Sequence, residues 1–341
     1  MNSKQHGFTL IEITMVLVAL AILAAVFTPI YGSIGVSQGR AAVARNYMNS
    51  SKIADALNAT AATIPGAVLP NPYTGAGYFR TVYNPADTSA VNLALIENLK
   101  KAQVPFGEVN SDGTAGESVR VYQLVSGLSK TMPWDYKSGP LITLNYQFAA
   151  IYMTECRKGT ATCNPNAATG VPGDSAALTA TNFSTWAPAG TDQDAVYINT
   201  LDVQTDMLET TKQKMLKLQD AFLSYFRTAQ VTAAAGDGTN FYPAATSSMA
   251  GQNPAGVQQG CRDGWYSLTT SDILPKIGLT TAQYGTTAWN APIEYCRDYD
   301  PTGTKSPDAS PHFAALRIRS NLSLGAAPDS SIPNNNIVFT F

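Results

Sequence analysis

The sequence predicts an α+β protein: a long N-terminal α-helix spans a membrane with its first part and packs its outer half on an antiparallel β-sheet head, which carries an additional amphipathic helix. Three observations point there. Residues 8–30, FTLIEITMVLVALAILAAVFTPI, are apolar almost throughout, and about twenty such residues at ~1.5 Å each cross a ~30 Å hydrocarbon layer. Residues 141–153 alternate, with Ile142, Leu144, Tyr146 and Phe148 on one face and Thr143, Asn145 and Gln147 on the other, as in a half-buried antiparallel strand. In residues 201–229 an apolar stripe of Leu208, Thr211, Met215, Leu218, Phe222 and Tyr225 recurs at helical spacing, with Lys212, Lys214, Lys217 and Asp220 outside it.

The chain opens with a short polar flank carrying Lys4 and His6, which sets the N-terminus on the cytoplasmic side. Glu12 then interrupts the apolar run. A carboxylate facing lipid costs roughly 2.5 to 3.5 kcal/mol, so this one is compensated or used. A cleaved secretory signal would show small residues after a shorter apolar core, whereas Thr28-Pro29-Ile30-Tyr31 follows here and the helical pattern continues.

The string Gly7-Phe8-Thr9-Leu10-Ile11-Glu12 resembles the prepilin signal of type IV pilins and of the pseudopilins of type II secretion. The resemblance covers about the first fifty residues, Pro29 included, and implies a pilin-like fold. It also implies that prepilin peptidase cuts after Gly7, leaving a leader of residues 1–7, and that the new N-terminus, Phe8, is methylated. Glu12 would govern assembly. The implied partners are other pilin or pseudopilin subunits through the N-terminal helix, prepilin peptidase and the inner-membrane assembly platform. The physical reading agrees, since cleavage places a cationic amine in the apolar layer about one turn from Glu12. Two such charges are costly alone and less so when paired, so Glu12 of an incoming subunit is expected to meet the Phe8 amine of a neighbour.

Beyond the membrane the helix is expected to run to residue 64, on a stripe of Val43, Tyr47, Ala54, Leu57, Ala61 and Ile64, and to stop at Pro65-Gly66. Pro29, Gly32, Gly35 and Gly39 weaken it locally and predict a bend or unwinding. Residues 65–341 form the head, with a division into 65–199 and 200–341 left open because strands in both parts lead into Cys-Arg. A short helix is predicted at 91–102, a strand at 119–125, and loops at 154–194 and 233–260. Further strands are predicted at 265–268, 289–297, 313–319 and 336–341. The segment Trp289-Asn290-Ala291-Pro292 is similar to a Trp-Gly-Asn-Pro hairpin of pseudopilins but departs at the glycine.

Composition bounds the chemistry. Charged residues are only 13% of the 341-residue chain and the net charge is −2, so no basic surface for nucleic acid is indicated. Cys156, Cys163, Cys261 and Cys296 all follow the membrane helix, and an even number in an exported segment reads as disulfides. The local pairings Cys156–Cys163 and Cys261–Cys296 are favoured. Zinc is disfavoured, because there is no Cys-x-x-Cys and the only histidines are His6 and His312. Asp298 and Asp300 have calcium-like spacing, although position twelve of such a loop is Ala309. Gly35-Val36-Ser37-Gln38-Gly39 matches a hydrolase elbow in a helical setting that lacks a strand and a base. No cofactor and no enzyme activity are expected. The function implied is a structural filament subunit, a minor or large pilin, with a secretion pseudopilin as the alternative. It would sit in the bacterial inner membrane before assembly and in a periplasm-spanning or extracellular pilus afterwards.

Overall fold

The computed structural model describes residues 10–64, 66–73, 82, 84–109, 119–135, 139–154, 176–190, 192–193, 195–246, 260–300, 302 and 310–341, with backbone alone at 10–13, 22–36, 106 and 108. The first element, α1 (Leu10–Thr63), is a single helix of 54 residues, about 81 Å long. It stays helical through Pro29, Gly32, Gly35 and Gly39, so the expected unwinding does not occur; the proline removes one backbone donor without ending the helix. Among the described residues no helix is long and apolar enough to cross a membrane. Much of the expected span, residues 8–30, falls outside the described side chains.

The helix meets the head later than its stripe predicts. Val43 and Tyr47 are 47% and 50% exposed, and burial begins at Asn49 and Ser50 and continues through Ile53, Ala54, Leu57 and Ala61. The correction has a simple cause. The periodicity records an apolar face, and only its C-terminal part lies over the head. That part packs on Leu95 and Leu99 of α2 (Ala90–Lys101) and on Tyr122, Ala149, Ile151 and Ile198 of a sheet. Ser89 caps α2 by accepting from the Asn92 amide. A single-turn helix, α3 (Phe106–Val109), follows.

That sheet is antiparallel in the order β1-β2-β3, made of β1 (Val119–Pro133), β2 (Leu141–Thr154) and β3 (Val196–Asn199). β1 runs past its predicted end because a bulge between Val125 and Leu128, with Gly127 at φ +76, absorbs the Ser-Gly interruption and restores pairing. β3 lies just beyond the expected loop and is too short to show alternation. Val119, Val121, Ala150 and Tyr152 face away from α1 and are covered by Leu178 and Trp186. Gln123 holds that cover, accepting from the Leu178 amide at 2.8 Å and donating to the Ala176 carbonyl at 3.1 Å.

The second amphipathic helix, α4 (Leu201–Val231), buries Leu208, Thr211, Met215, Leu218 and Phe222 as its pattern predicts, while Tyr225 at the end of the stripe is half-buried. It lies on a second antiparallel sheet ordered β4-β5-β6-β7, built from β4 (Tyr266–Ser267), β5 (Glu294–Cys296), β6 (Ala315–Arg319) and β7 (Asn336–Thr340). Two four-residue helices, α5 (Ile273–Lys276) and α6 (Thr281–Tyr284), connect β4 to β5. Of the predicted 289–297 strand only Glu294–Cys296 joins the sheet, with Pro292 in an isolated bridge to Thr286, because Asn290 at φ +59 turns the chain before them. Phe222 stacks on Tyr295 with centroids 4.4 Å apart. Ile142 and Leu144 of β2 enter this same core. Below β3 the free edge of β2 receives the second sheet's loop, where the Thr143 amide donates to the Ser320 carbonyl at 3.0 Å.

Candidate functional site

The chain's distinctive surface is α1 where it leaves the head. From residue 14 to 21 and from 37 to 48 the described positions of α1 are exposed or half-buried, so over both stretches the helix stands clear of the described head. Its departure point is fixed by buried Arg120 on β1, which donates from Nε to Ser50 Oγ at 3.3 Å and from an Nη to the Asn46 carbonyl at 3.5 Å. Asn46 Nδ2 in turn donates to Gln193 Oε1 at 3.4 Å. A cleft of about 580 Å³ opens there between the helix and the sheet, lined by Gly39, Arg40, Val43, Tyr47, Met153 and Gln193 among others.

The other end of the helix is clamped through Gln204 on α4, which is fully buried. Its Nε2 donates to the Gly66 carbonyl at 2.7 Å, while its Oε1 accepts from Trp289 Nε1 at 2.7 Å and from Ser323 Oγ at 2.9 Å. Ser323 Oγ accepts from the Asn145 amide on β2 at 2.8 Å. One amide side chain therefore ties the end of α1 to α4, to the second sheet and, through Ser323, to the first. Sequence reasoning missed it, since a glutamine inside an amphipathic stripe reads as a surface residue; the only hint was its place one turn before Leu208.

The predicted site residues fall as follows. Gly7 and Phe8 lie outside the described residues, as do Cys156 and Cys163. Glu12 is on the α1 backbone, and its side chain lies outside them too. Cys261 and Cys296 form a disulfide with Cα atoms 5.8 Å apart, closing a sequence separation of 35. Beside it Glu294 and Arg317, opposite each other on β5 and β6, form a buried ion pair, and Arg317 lies 4.4 Å over the Trp265 ring. Burial pushes the Glu294 carboxyl up and the Arg317 guanidinium down, and their mutual attraction opposes both shifts.

The calcium candidate is occupied by protein. Asp300 is 2% exposed, accepts from Arg262 Nη2 at 2.7 Å and takes the Thr302 amide and hydroxyl at 3.0 and 2.7 Å. Asp298 lies 4.0 Å from the same guanidinium, and burial raises its carboxyl above the usual range, with Asp263 adding to the rise. Among the described residues no group of three or more His, Cys, Asp or Glu could hold a metal ion. His312 spends a ring nitrogen on the Gly238 carbonyl at 2.7 Å. Ser37 lies within α1, which is not the strand-turn-helix that a nucleophile elbow requires.

Asn290 has a left-handed φ of +59, a conformation that asparagine tolerates better than other side-chain-bearing residues.

Comparison with known proteins gives one match: residues 2–28 fit the family model of the prokaryotic N-terminal methylation motif, the type IV prepilin signal. No curated protein and no solved structure matches the chain. A signal of this kind is read by prepilin peptidase and makes the protein pilin- or pseudopilin-like, with other subunits of that kind as its general partners.

Proposed function

From the prepilin signal at residues 2–28, we propose that the protein is a structural subunit of a type IV pilus-like filament, a minor or large pilin and not an enzyme. It enters the inner membrane through residues 8–30, loses residues 1–7 after Gly7, is methylated on Phe8, and joins the filament through α1. The observation that carries this reading is the coincidence of that signal with a helix that extends far beyond its own head and exposes Met15, Val16, Leu17, Val18 and Leu20 at 55% or more. A soluble monomer leaves few such apolar runs uncovered; a lipid layer before assembly and neighbouring helices afterwards would cover this one. Glu12 supplies the assembly charge, meeting the Phe8 amine of a neighbour in the apolar layer. The buried contacts of Arg120 and Gln204 support a head held at a fixed angle to the rod, so that pulling on α1 moves the whole subunit.

The pseudopilin reading draws on the Trp289-Asn290 turn and differs only in where the filament ends, in the periplasm or outside the cell. The test for both is Glu12→Val in the full chain. The expected result is a processed protein that stays in the membrane, with at least a tenfold loss from the filament fraction. Normal entry into filaments overturns the role given to Glu12.

A further inference from the structure

Two features of α1 have no cover within the described residues. One is the apolar run of Met15, Val16, Leu17, Val18 and Leu20. The other is the cleft beside the head, where half-exposed Val43 and Tyr47 stand with Arg40 and Gly39 at its N-terminal end. A Cβ on Gly39 would meet nothing within 4 Å. Nothing among the described residues therefore calls for glycine at a helical position where alanine is more stable.

The two features match in register. Glu12, Met15 and Ala19 are spaced as are Arg40, Val43 and Tyr47, one face of a helix in each case. The same is true of Val16 and Leu20 against Ala44 and Met48. One parallel offset of about 28 residues, ~42 Å along the axis, brings the carboxylate level with the guanidinium and the apolar positions level with each other. Among the described residues that line the cleft Arg40 is the only charged one, and Glu12 is the only one in the apolar run.

We propose that the cleft receives residues 12–20 of a second copy of this chain, with Glu12 of one copy at Arg40 of the other and the two helices staggered by ~42 Å. The proposal rests on the filament reading and goes beyond it by naming the groove, the segment and the offset. Opposite charges at one end and apolar contact along the rest fix both direction and register. Gly39 then has a use, because the absence of a side chain lets the second helix approach closely where the pair of charges must meet. The carboxylate has two oxygens, so a Phe8 amine from one neighbour and Arg40 from another can share it.

The experiment uses the full chain in cells, carrying Met15→Cys with Val43→Cys, and in parallel Leu20→Cys with Met48→Cys. Sheared filaments are treated with a short bismaleimide and run on a reducing gel. Within one helix each pair is ~42 Å apart, so any product joins two copies. The expected result is a ladder of multimers from either double variant that is absent from the single variants. In the same assay Arg40→Glu and Gly39→Leu each lower the sheared filament yield at least tenfold. Filaments in normal amount with no ladder from either pair overturn the cleft and leave the filament reading standing. A product with a chain of different mass overturns the second copy as occupant. An unsubstituted chain that never reaches the sheared fraction overturns the filament reading and the cleft together.

Discussion

Replacing Gln204 with alanine tests how the head is held on its helix. The substitution leaves Trp289 Nε1, a group on a residue only 1% exposed, without its acceptor, which costs about 1–3 kcal/mol. It also removes the donor to the Gly66 carbonyl and the acceptor for Ser323 Oγ. Both of those residues are half-buried, so water replaces part of what is lost, at about 0.5–1.5 kcal/mol each. The sum is about 4 kcal/mol, which for a domain of this size lowers Tm by roughly 8–16 °C. Near-UV circular dichroism of the detergent-solubilised full chain reads it through the buried tryptophans. Gln204→Glu sharpens the test. The carboxylate keeps both acceptor bonds but turns a charge on the Gly66 carbonyl, so its folded pKa is raised. Its stability is then fullest below about pH 4 and falls as pH rises through the folded value. A double-mutant cycle of Gln204→Ala with Ser323→Ala should give a coupling of about 0.5–2 kcal/mol. A Tm within about 1 °C of wild type for Gln204→Ala, far inside the shift expected for such a loss, would refute the hub.

Four further outcomes follow from the same contacts. Cys261→Ser with Cys296→Ser releases a loop with a sequence separation of 35 and should cost about 4 kcal/mol, read by urea unfolding with and without reductant; an unchanged midpoint contradicts it. Gly325→Ala should destabilise by more than Gly236→Ala: both glycines have positive φ, but the new Cβ at 325 would meet the Trp289 carbonyl at 2.9 Å, whereas at 236 it meets nothing within 4 Å. Equal losses for the two would show that the close approach does not matter. Glu294→Ala strands the buried Arg317 guanidinium and should cost about 3–5 kcal/mol, while Glu294→Gln, which can still accept, should cost less; the reverse order contradicts the pairing. Asp329 lies 3.5 Å from Arg319, and the hydrogen bonds it accepts from Ser331, Asn335 and Ile332 hold its carboxyl well below the usual range. That stabilisation is present above the unfolded value of about 3.9 and is lost as pH falls through the folded one. Asp329→Asn should therefore flatten the acid limb of a stability-against-pH curve, and an identical limb rules the contribution out.

Much of the fold was legible where periodicity is long. The α4 stripe follows directly from burial of one face; the alternation of β2 holds at Ile142 and Leu144 and is lost from Ala149 onward, where both faces of the sheet are covered, and α1 ends at Thr63, close to the expected stop. The legible part stops where the cause is tertiary. Val43 and Tyr47 share the apolar period of Leu57 and Ala61, yet the head reaches only from Asn49 onward, and nothing local encodes where a helix leaves its domain. β3 has four residues, too few for a pattern, and it forms because β2 offers an edge. Arg120 and Gln204 read as surface residues in sequence because their partners lie about seventy or more positions away. The candidate site divides in the same way. The Gly7-Phe8…Glu12 signal is a local string and was readable, whereas the cleft exists only because Met153 and Gln193 are brought beside α1.

The central claim is that this chain is processed at its N-terminus and built into a filament. Peptide mass spectrometry of the filament fraction sheared from cells tests it most directly. The account predicts an N-terminal peptide that begins at Phe8 and carries one added methyl group. An intact Met1 terminus on chains that remain in the membrane would contradict it.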